Sequence, residues 1–582
     1  MRILVIFLLI SVCWSFNIRN MAILRGEHGY EKSASRLRAE SPYVRELENI
    51  RANMKSKFFF PGHCGGEHAP PSLAESLQGL ELDLPELDGL GNVHDFSLDS
   101  DDALSTALKA AAAFYGAART WFLVNGSTSG ILIAALTLKE MHTLRLERDG
   151  NGSKKSVFIV SRDAHKSVFD ALELSQSEAL VLPCDIDVHY GTSRGPDLAF
   201  GGIKETIEGF REEYGDSADI AGIIITRPTY QGLALRGERF KMVVRECQEA
   251  GVPVVVDEAH GSHWRLLPEE EGYNDALSCG ADLVVQSSHK TLGALSQAGM
   301  LHLGKEAFSC VEGEGEGASA VHHFYSVLTT TSPNSLFLAS LDAARSRVAS
   351  NGHALVTRTS RAVRALKMAV TSSYEVNRQS GSRGVTFLEG DDDYVVDPLR
   401  LTVHFPRYPS SAVIVDEWLC EQRGIWCELN LPRCIVYCVP LGSQEEYLTG
   451  LQDGLCEVMD RVKLPPLYTV NGEATDTHVG SGQCQGQGQG QGLGREGGAV
   501  YISAVRRGRK ATNVRLEQIL GKISAESVTP YPPGIPVLLH GEQICYHHLE
   551  KLRELQKQES DGVWGGSILS SDPSLLRLSV YE

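Results

Sequence analysis

At 582 residues the chain is too long for one compact domain of about 100–200 residues. With 22% charged and 42% hydrophobic residues, it is as a whole neither disordered nor fibrous. Lysine and arginine number 55 against 73 aspartate and glutamate, a net charge of −18. That balance argues against nucleic acid or an anionic membrane as the main partner. It suits a cationic small substrate weakly, because most acidic chains are simply soluble.

The chain opens on Met1-Arg2 and an apolar run from Ile3 to Trp14. The run is too short for a spanning helix, which needs about 20 residues, and it reads as a secretory signal. Residues 16–25 begin with Phe16 and contain Arg19 and Arg25 but no acid. This is similar to the bipartite leaders of algae with secondary plastids. The expectation is therefore entry into the secretory pathway, with a plastid as the onward destination. Residues 1–40 are set apart from the fold as a leader, and no later stretch is apolar enough to form a membrane span.

From about Tyr43 to Asn351 short β-rich runs alternate with helical ones. Strands are predicted at Trp121–Val124, Val157–Val160, Ala179–Leu182, Ala221–Thr226, Val252–Val256, Leu283–Gln286 and Met300–Leu303. Helices are predicted at Ser129–Glu140 and Gly237–Ala250, among others. Such alternation implies an α/β fold with a mostly parallel sheet covered on both faces. The large domain is expected over 41–375. A smaller domain is expected over 394–582, with β-rich pieces at Leu399–Phe405, Ile435–Val439 and Ala499–Ile502. The Gln/Gly repeat of residues 479–498 cannot bury a core and is expected to be a disordered insert in it.

In an open parallel sheet, ligands sit beyond the carboxyl ends of the strands. Five predicted strand ends carry chemically capable residues: Asn125–Gly130, Ser161–Ser167, Arg227–Tyr230, Asp257–His260 and Ser287–Lys290. Lys290 is an amine at a strand end, where desolvation lowers its pKa and makes it nucleophilic towards an aldehyde. Asp257 ends the run Val252–Val256, and a carboxylate there needs a partner. A pyridinium nitrogen is such a partner in pyridoxal phosphate enzymes. The small residues of Asn125–Gly130 expose N–H groups and hydroxyls at a helix start, which suits a phosphate. His165 could lay an aromatic face on a ring. Singly, each has a plainer reading: a surface lysine, a helix-capping aspartate, an ordinary turn, a satisfied loop histidine. Their common placement at strand ends favours the joint reading.

Two other chemistries are set aside. Val254–His260 reads like the Walker-B string of a helicase, but no phosphate loop of the G-x-x-x-x-G-K-[ST] type stands upstream. The thirteen cysteines are scattered without a CxxC, so they are expected to be ordinary thiols and no metal site is expected.

The motifs together resemble one family. They are Phe60–Gly66, Asn125–Ser129, His165–Ser167, Pro228–Tyr230, Asp257–His260, Ser287–Leu292, Ala294–Gln297, Thr329–Pro333 and Pro530–Pro536. The combination is similar to the bacterial-type ornithine/lysine/arginine decarboxylases, from about residue 42 to 550. Cys64 departs from the lysine usual in the first motif. There is no room before Phe58 for the N-terminal wing of the large inducible enzymes, so the resemblance is to the shorter ones.

The resemblance implies an aspartate-aminotransferase-like, fold-type-I enzyme with a large cofactor domain and a smaller α+β C-terminal domain. It implies pyridoxal 5'-phosphate as cofactor. Lys290 would hold it, Asp257 would pair with its ring nitrogen, and His165 would stack on the ring. Ser127, Thr128 and Ser287 would bind phosphate, with His289 beside the Schiff base and His260 near the ring. The expected reaction is decarboxylation of lysine, arginine or ornithine to an amine and carbon dioxide. His289 or the freed Lys290 would reprotonate the carbon. A different fold-type-I reaction (transamination or aldol cleavage) and a non-catalytic binding protein descended from the family are the alternatives. Thr329–Pro333, which in that family lies near the neighbouring subunit's phosphate, implies a homodimer or a higher homo-oligomer.

Overall fold

The computed structural model describes residues 41–54, 90–95, 100–187, 192–196, 202–309, 316–376, 385–405, 411–431, 433–461, 500–502, 510–531, 534–560 and 567–581. The expected leader, the Phe60–Gly66 motif, the Gln/Gly tract, Pro532 and Pro533 lie outside these residues.

Seven strands of the main sheet come from the region where alternation was read: β1 (Arg119–Leu123), β2 (Lys155–Ser161), β3 (Glu178–Leu182), β4 (Ala218–Thr226), β5 (Val254–Asp257), β6 (Leu283–Gln286) and β7 (Gly299–Leu303). Their order across the sheet is β1-β7-β6-β5-β4-β2-β3. Strands β2 to β6 pair in parallel, while β7 runs antiparallel to both β6 and β1. Successive side chains leave a strand on opposite faces, and both faces here are apolar. Phe158 and Val160 enter one hydrophobic cluster, with Ile131 and Leu138, while Val157 and Ile159 enter another, with Phe210 and Phe240. Burial on both sides is why these strands read as continuous apolar runs.

Helix α1 (Gly126–Arg148) follows β1 directly. A Cβ on Gly130 would lie 2.7 Å from Val285 Cγ1 and 2.8 Å from Leu123 Cδ1. Only a glycine lets the first turn of α1 press this closely onto the sheet. Two further helices matter for the site: α2 (Lys166–Ser175), after β2, and the single turn α3 (Ser288–Thr291), after β6.

The 42-residue helix α4 (Ser335–Val376) is about 63 Å long. Leu338 and Leu341 near its start and Val356 at its middle pack into the main core, and Val363, Leu366 and Val370 pack into a separate one. That second core lies under an antiparallel sheet of β8 (Thr386–Phe387), β9 (Arg400–His404), β10 (Leu429–Asn430) and β11 (Cys434–Cys438), ordered β8-β9-β11-β10. A further cluster gathers Leu516, Ile519, Val528, Leu538, Leu552 and Leu578, with the Tyr546–Ser560 helix over it.

The residues expected to form one second domain thus divide among three places. Residues 386–438 build the four-stranded sheet, and 511–581 build the C-terminal cluster. The β-rich piece at Ala499–Ile502 joins neither: β12 (Val500–Ile502) pairs antiparallel with β3 at the edge of the main sheet. Its composition marked it as a strand, but strand partners are chosen by tertiary placement. Among the described residues no helix is long and apolar enough to cross a membrane.

Candidate active site

Residues from four of the five strand ends gather at Lys290: its own, and those of His165, Tyr230 and Asp257–His260. Lys290 sits in α3, one turn beyond β6, and its Nζ lies 3.0 Å from His260 Nε2. His260 follows β5 and is buried. Its other nitrogen, Nδ1, lies 2.8 Å from Arg400 Nη2 on β9 of the smaller sheet. A guanidinium can only donate, so Nδ1 of His260 accepts and the ring proton sits on Nε2. That N–H then points at Lys290 Nζ, which must accept it. The arrangement therefore requires Lys290 as a neutral amine. The electrostatics agree: burial lowers the Lys290 pKa, the Asp257 charge opposes the shift, and Arg400 adds to it. Burial, then the charges of Lys290 and Arg400, keep His260 well below the usual histidine range.

Asp257 is the last residue of β5 and is 5% exposed. Ala259 N, 3.1 Å from Oδ1, makes the one hydrogen bond to its carboxylate among the described residues. Its charge acts on both Lys290 and His165. The adjacent Glu258 points elsewhere. It accepts from Ala276 N at 2.9 Å and from Gln286 Nε2 at 2.6 Å, and burial pushes its pKa up to about 8. In the helicase-like string Asp257 and His260 face the site, and Glu258 braces the sheet.

His165 is the N-cap of α2. Its Nδ1 accepts from Ser167 N at 3.2 Å and lies 2.9 Å from Ser167 Oγ. Burial lowers its pKa, so the ring is neutral. His289 donates from Nδ1 to Ala298 O at 3.0 Å, which leaves its Nε2 as a lone-pair nitrogen without a partner among the described residues.

Three hydroxyls around Lys290 are buried and without a partner among the described residues: Ser287 Oγ, Ser288 Oγ and Thr291 Oγ1. Leaving such a group unsatisfied costs about 1–3 kcal/mol, so a cluster of them calls for a polar ligand. Ser127 and Thr128 lie in the first turn of α1, where backbone N–H groups have no helical acceptor. Gly126, at φ +77, donates to Gln297 O at 2.8 Å, and Gln297 Nε2 donates to Val124 O at 2.7 Å. The Ala294–Gln297 motif thus pins the entry to that helix. Asn125 Nδ2 also donates to Leu328 O at 3.3 Å, and the exposed Thr330 lies two residues further on.

Four neighbours of Lys290 were assigned no part from sequence. Arg400 is one. Cys438 on β11 contacts the Arg400 guanidinium, and burial pushes its thiol up to about 11. Glu428 acts electrostatically on both Lys290 and His289. Tyr230 donates to Glu428 Oε1 at 2.6 Å, and its ring lies 4.9 Å from that of His260. An arginine inside the apolar run Leu399–Phe405 was the available signal for the first. Tyr230 closes the Arg227–Tyr230 strand end that the sequence already marked, whereas nothing local marked Cys438 or Glu428, on a strand and a loop far along the chain.

Residues 41–447 match the Orn/Lys/Arg decarboxylase major domain, and residues 500–560 match the C-terminal domain of the same family. The chain belongs to the Orn/Lys/Arg decarboxylase family. An arginine decarboxylase of Bacillus subtilis (strain 168) is 28% identical over 517 residues, covering 88% of this chain and 92% of its own length. An arginine decarboxylase of Halalkalibacterium halodurans is 28% identical over 511 residues, covering 86% and 90%. Lysine decarboxylase A from Pseudomonas aeruginosa shares the fold with a TM-score of 0.70 at 18% identity, over 94% of this chain and 81% of that one. The α/β, fold-type-I architecture expected from the sequence is therefore the one observed.

Membership in the Orn/Lys/Arg decarboxylase family also corrects one expectation. The family match begins at residue 41, and these relatives are bacterial. Bacteria contain no plastids, so the likeness of residues 16–25 to a plastid leader has no counterpart among them. The secretory reading rested on Ile3–Trp14, which also precedes the family match, and both are withdrawn.

Proposed function

We propose that this site decarboxylates a basic amino acid (lysine, arginine or ornithine) with pyridoxal 5'-phosphate. One observation carries the reading: a half-buried lysine amine, required to be neutral by His260, beside three buried hydroxyls with no partner among the described residues. When bound, the cofactor supplies an aldehyde and an electron-accepting ring. The residues present fit it. Lys290 supplies the amine that holds it, and Asp257 supplies a carboxylate for the ring nitrogen. His165 offers a neutral imidazole face. Ser287, Ser127 and Thr128 offer hydroxyls for the phosphate, beside the open N–H groups of α1.

The chain's own groups then divide the work. Asp257 stabilises positive charge on the ring nitrogen. His260 keeps Lys290 in its nucleophilic form. His289, with Nε2 unengaged, and the freed Lys290 are the two groups able to take up a proton and then return it to the substrate carbon. Glu428 and Tyr230 place a carboxylate and a phenol near Lys290, which suits a substrate with a second cationic group.

The test is reconstitution with the cofactor and assay of carbon dioxide and amine from each of the three amino acids. Lys290→Ala should abolish turnover and borohydride-fixable absorbance while the fold persists. A 2-oxo acid product would replace this reading by transamination. Borohydride-fixable cofactor in the alanine variant would remove Lys290 from its role.

The working unit in this reading is a homodimer in which Thr329–Ser332 faces the partner's site. The supporting feature is that Thr330, Thr331 and Ser332 are exposed in the single chain while adjoining the first turn of α1.

A further inference from the structure

The χ2 torsion of a histidine is broad and roughly two-fold, so rotamer preference alone does not fix the plane of its ring. His165 needs outside contacts to present one face. One edge is held within its own loop, where Ser167 N and Oγ meet Nδ1. The opposite edge is met from the far end of the chain. A Cβ built on Gly534 would lie 2.9 Å from His165 Nε2, 3.0 Å from its Cδ2 and 3.0 Å from Tyr531 Cε2. Gly534 has φ +84, in the left-handed region where a side chain is disfavoured. Its bare backbone therefore comes against the imidazole where no other residue fits.

The contact is latched on both sides. Lys166 N, next to His165, donates to Gly534 O at 2.8 Å. Arg162, on the same loop, donates from Nη1 to Pro536 O at 2.6 Å and from Nη2 to Val537 O at 2.9 Å. Arg162 also pairs with Glu542 at 3.6 Å, and Glu542 with His548 at 3.4 Å. These partners belong to the segment that builds the C-terminal hydrophobic cluster.

We infer that Gly534 is a positioning residue for the active site: the C-terminal segment fixes the plane of the His165 ring from its Nε2 edge. The inference rests on the reading of His165 as the face presented to the cofactor ring.

The experiment compares two glycine substitutions in the reconstituted holoenzyme. Gly534→Ala and Gly521→Ala place a methyl group at φ +84 and φ +78, so both carry left-handed strain. At Gly521 no described residue lies within 4 Å of the new Cβ, whereas at Gly534 it meets the His165 ring. Visible circular dichroism of the bound cofactor, cofactor affinity, kcat and KM are measured for each. Gly534→Ala should weaken the dichroic band and cofactor affinity and lower kcat by about 10- to 100-fold, with KM changed less. Gly521→Ala should leave all four near wild type. In the double variant with His165→Ala, Gly534→Ala should add no further loss, because the two act through one ring. An unaltered band and kcat in folded Gly534→Ala, or an equal loss in Gly521→Ala, would overturn the inference. If Gly534→Ala does not fold, Arg162→Met removes two of the latches without adding bulk at the ring and should weaken the band. An unchanged band there counts against it equally. The underlying reading fails separately, if His165→Ala itself leaves the band and cofactor affinity intact.

Discussion

Arg400 and Lys290 touch opposite nitrogens of one imidazole: Arg400 Nη2 lies 2.8 Å from His260 Nδ1, and Lys290 Nζ lies 3.0 Å from Nε2. Because the guanidinium can only donate, it selects the tautomer that requires a neutral lysine. Arg400→Gln should therefore do more than remove a nearby charge. It frees His260 to accept from a protonated Lys290, and the lysine pKa rises. At a given pH less free amine is available, so the acid limb of cofactor incorporation moves to higher pH. Borohydride-trapped cofactor, measured across pH in wild type and variant, reads this directly. An unmoved limb would show that Arg400 does not govern Lys290.

Asp257 and Glu258 are neighbours in sequence with opposite expected sensitivities. Asp257→Asn removes the carboxylate facing Lys290 and His165, and kcat should fall by about two orders of magnitude or more. Glu258→Gln replaces a buried carboxyl that is protonated near neutrality, and turnover should be nearly unchanged. Its pKa is raised from 4.5 to about 8, so the folded state keeps a proton that the unfolded state gives up. Wild-type stability should then carry a component lost as pH rises between those values, and Glu258→Gln should lack it. Urea midpoints of the two proteins across that range decide the point.

The opposite slope is expected on the acid side. Burial lowers the pKa of His142 and His260 and takes that of His302 down to about 3. In the unfolded chain these rings titrate near about 6.5. Below that pH the unfolded state binds more protons, so stability falls as pH falls. The urea midpoint should decline from about pH 6.5 downwards, before most carboxylates protonate. A flat midpoint down to about pH 5 would contradict the neutral state assigned to the rings.

Shared sites predict complementation. A Lys290→Ala chain co-expressed with a chain altered at Thr329, Thr330 and Thr331 should regain activity in hybrid dimers. One site in each hybrid then combines an intact lysine with intact threonines. An active monomer by light scattering, or no rescue in verified hybrids, would defeat the dimer reading.

What the sequence by itself determined was the frame. Strands buried on both faces must be apolar throughout, so Val157–Val160, Leu283–Gln286 and their fellows were visible as short runs. A parallel sheet delivers the residues after its strands to one edge, which is why Lys290, His260, Asp257 and His165 could be named together before their distances were known. Tertiary structure alone decided the rest. Val500–Ile502 was legible as a strand, yet its partner β3 lies more than 300 residues earlier. Arg400, Glu428 and Gly534 reach the site from the smaller sheet, a loop and the C-terminal segment, through contacts that no local period encodes. Even adjacent Asp257 and Glu258 look equivalent as letters. A strand sends successive side chains to opposite faces, and the packing around each face made one carboxylate part of the site and the other part of the core.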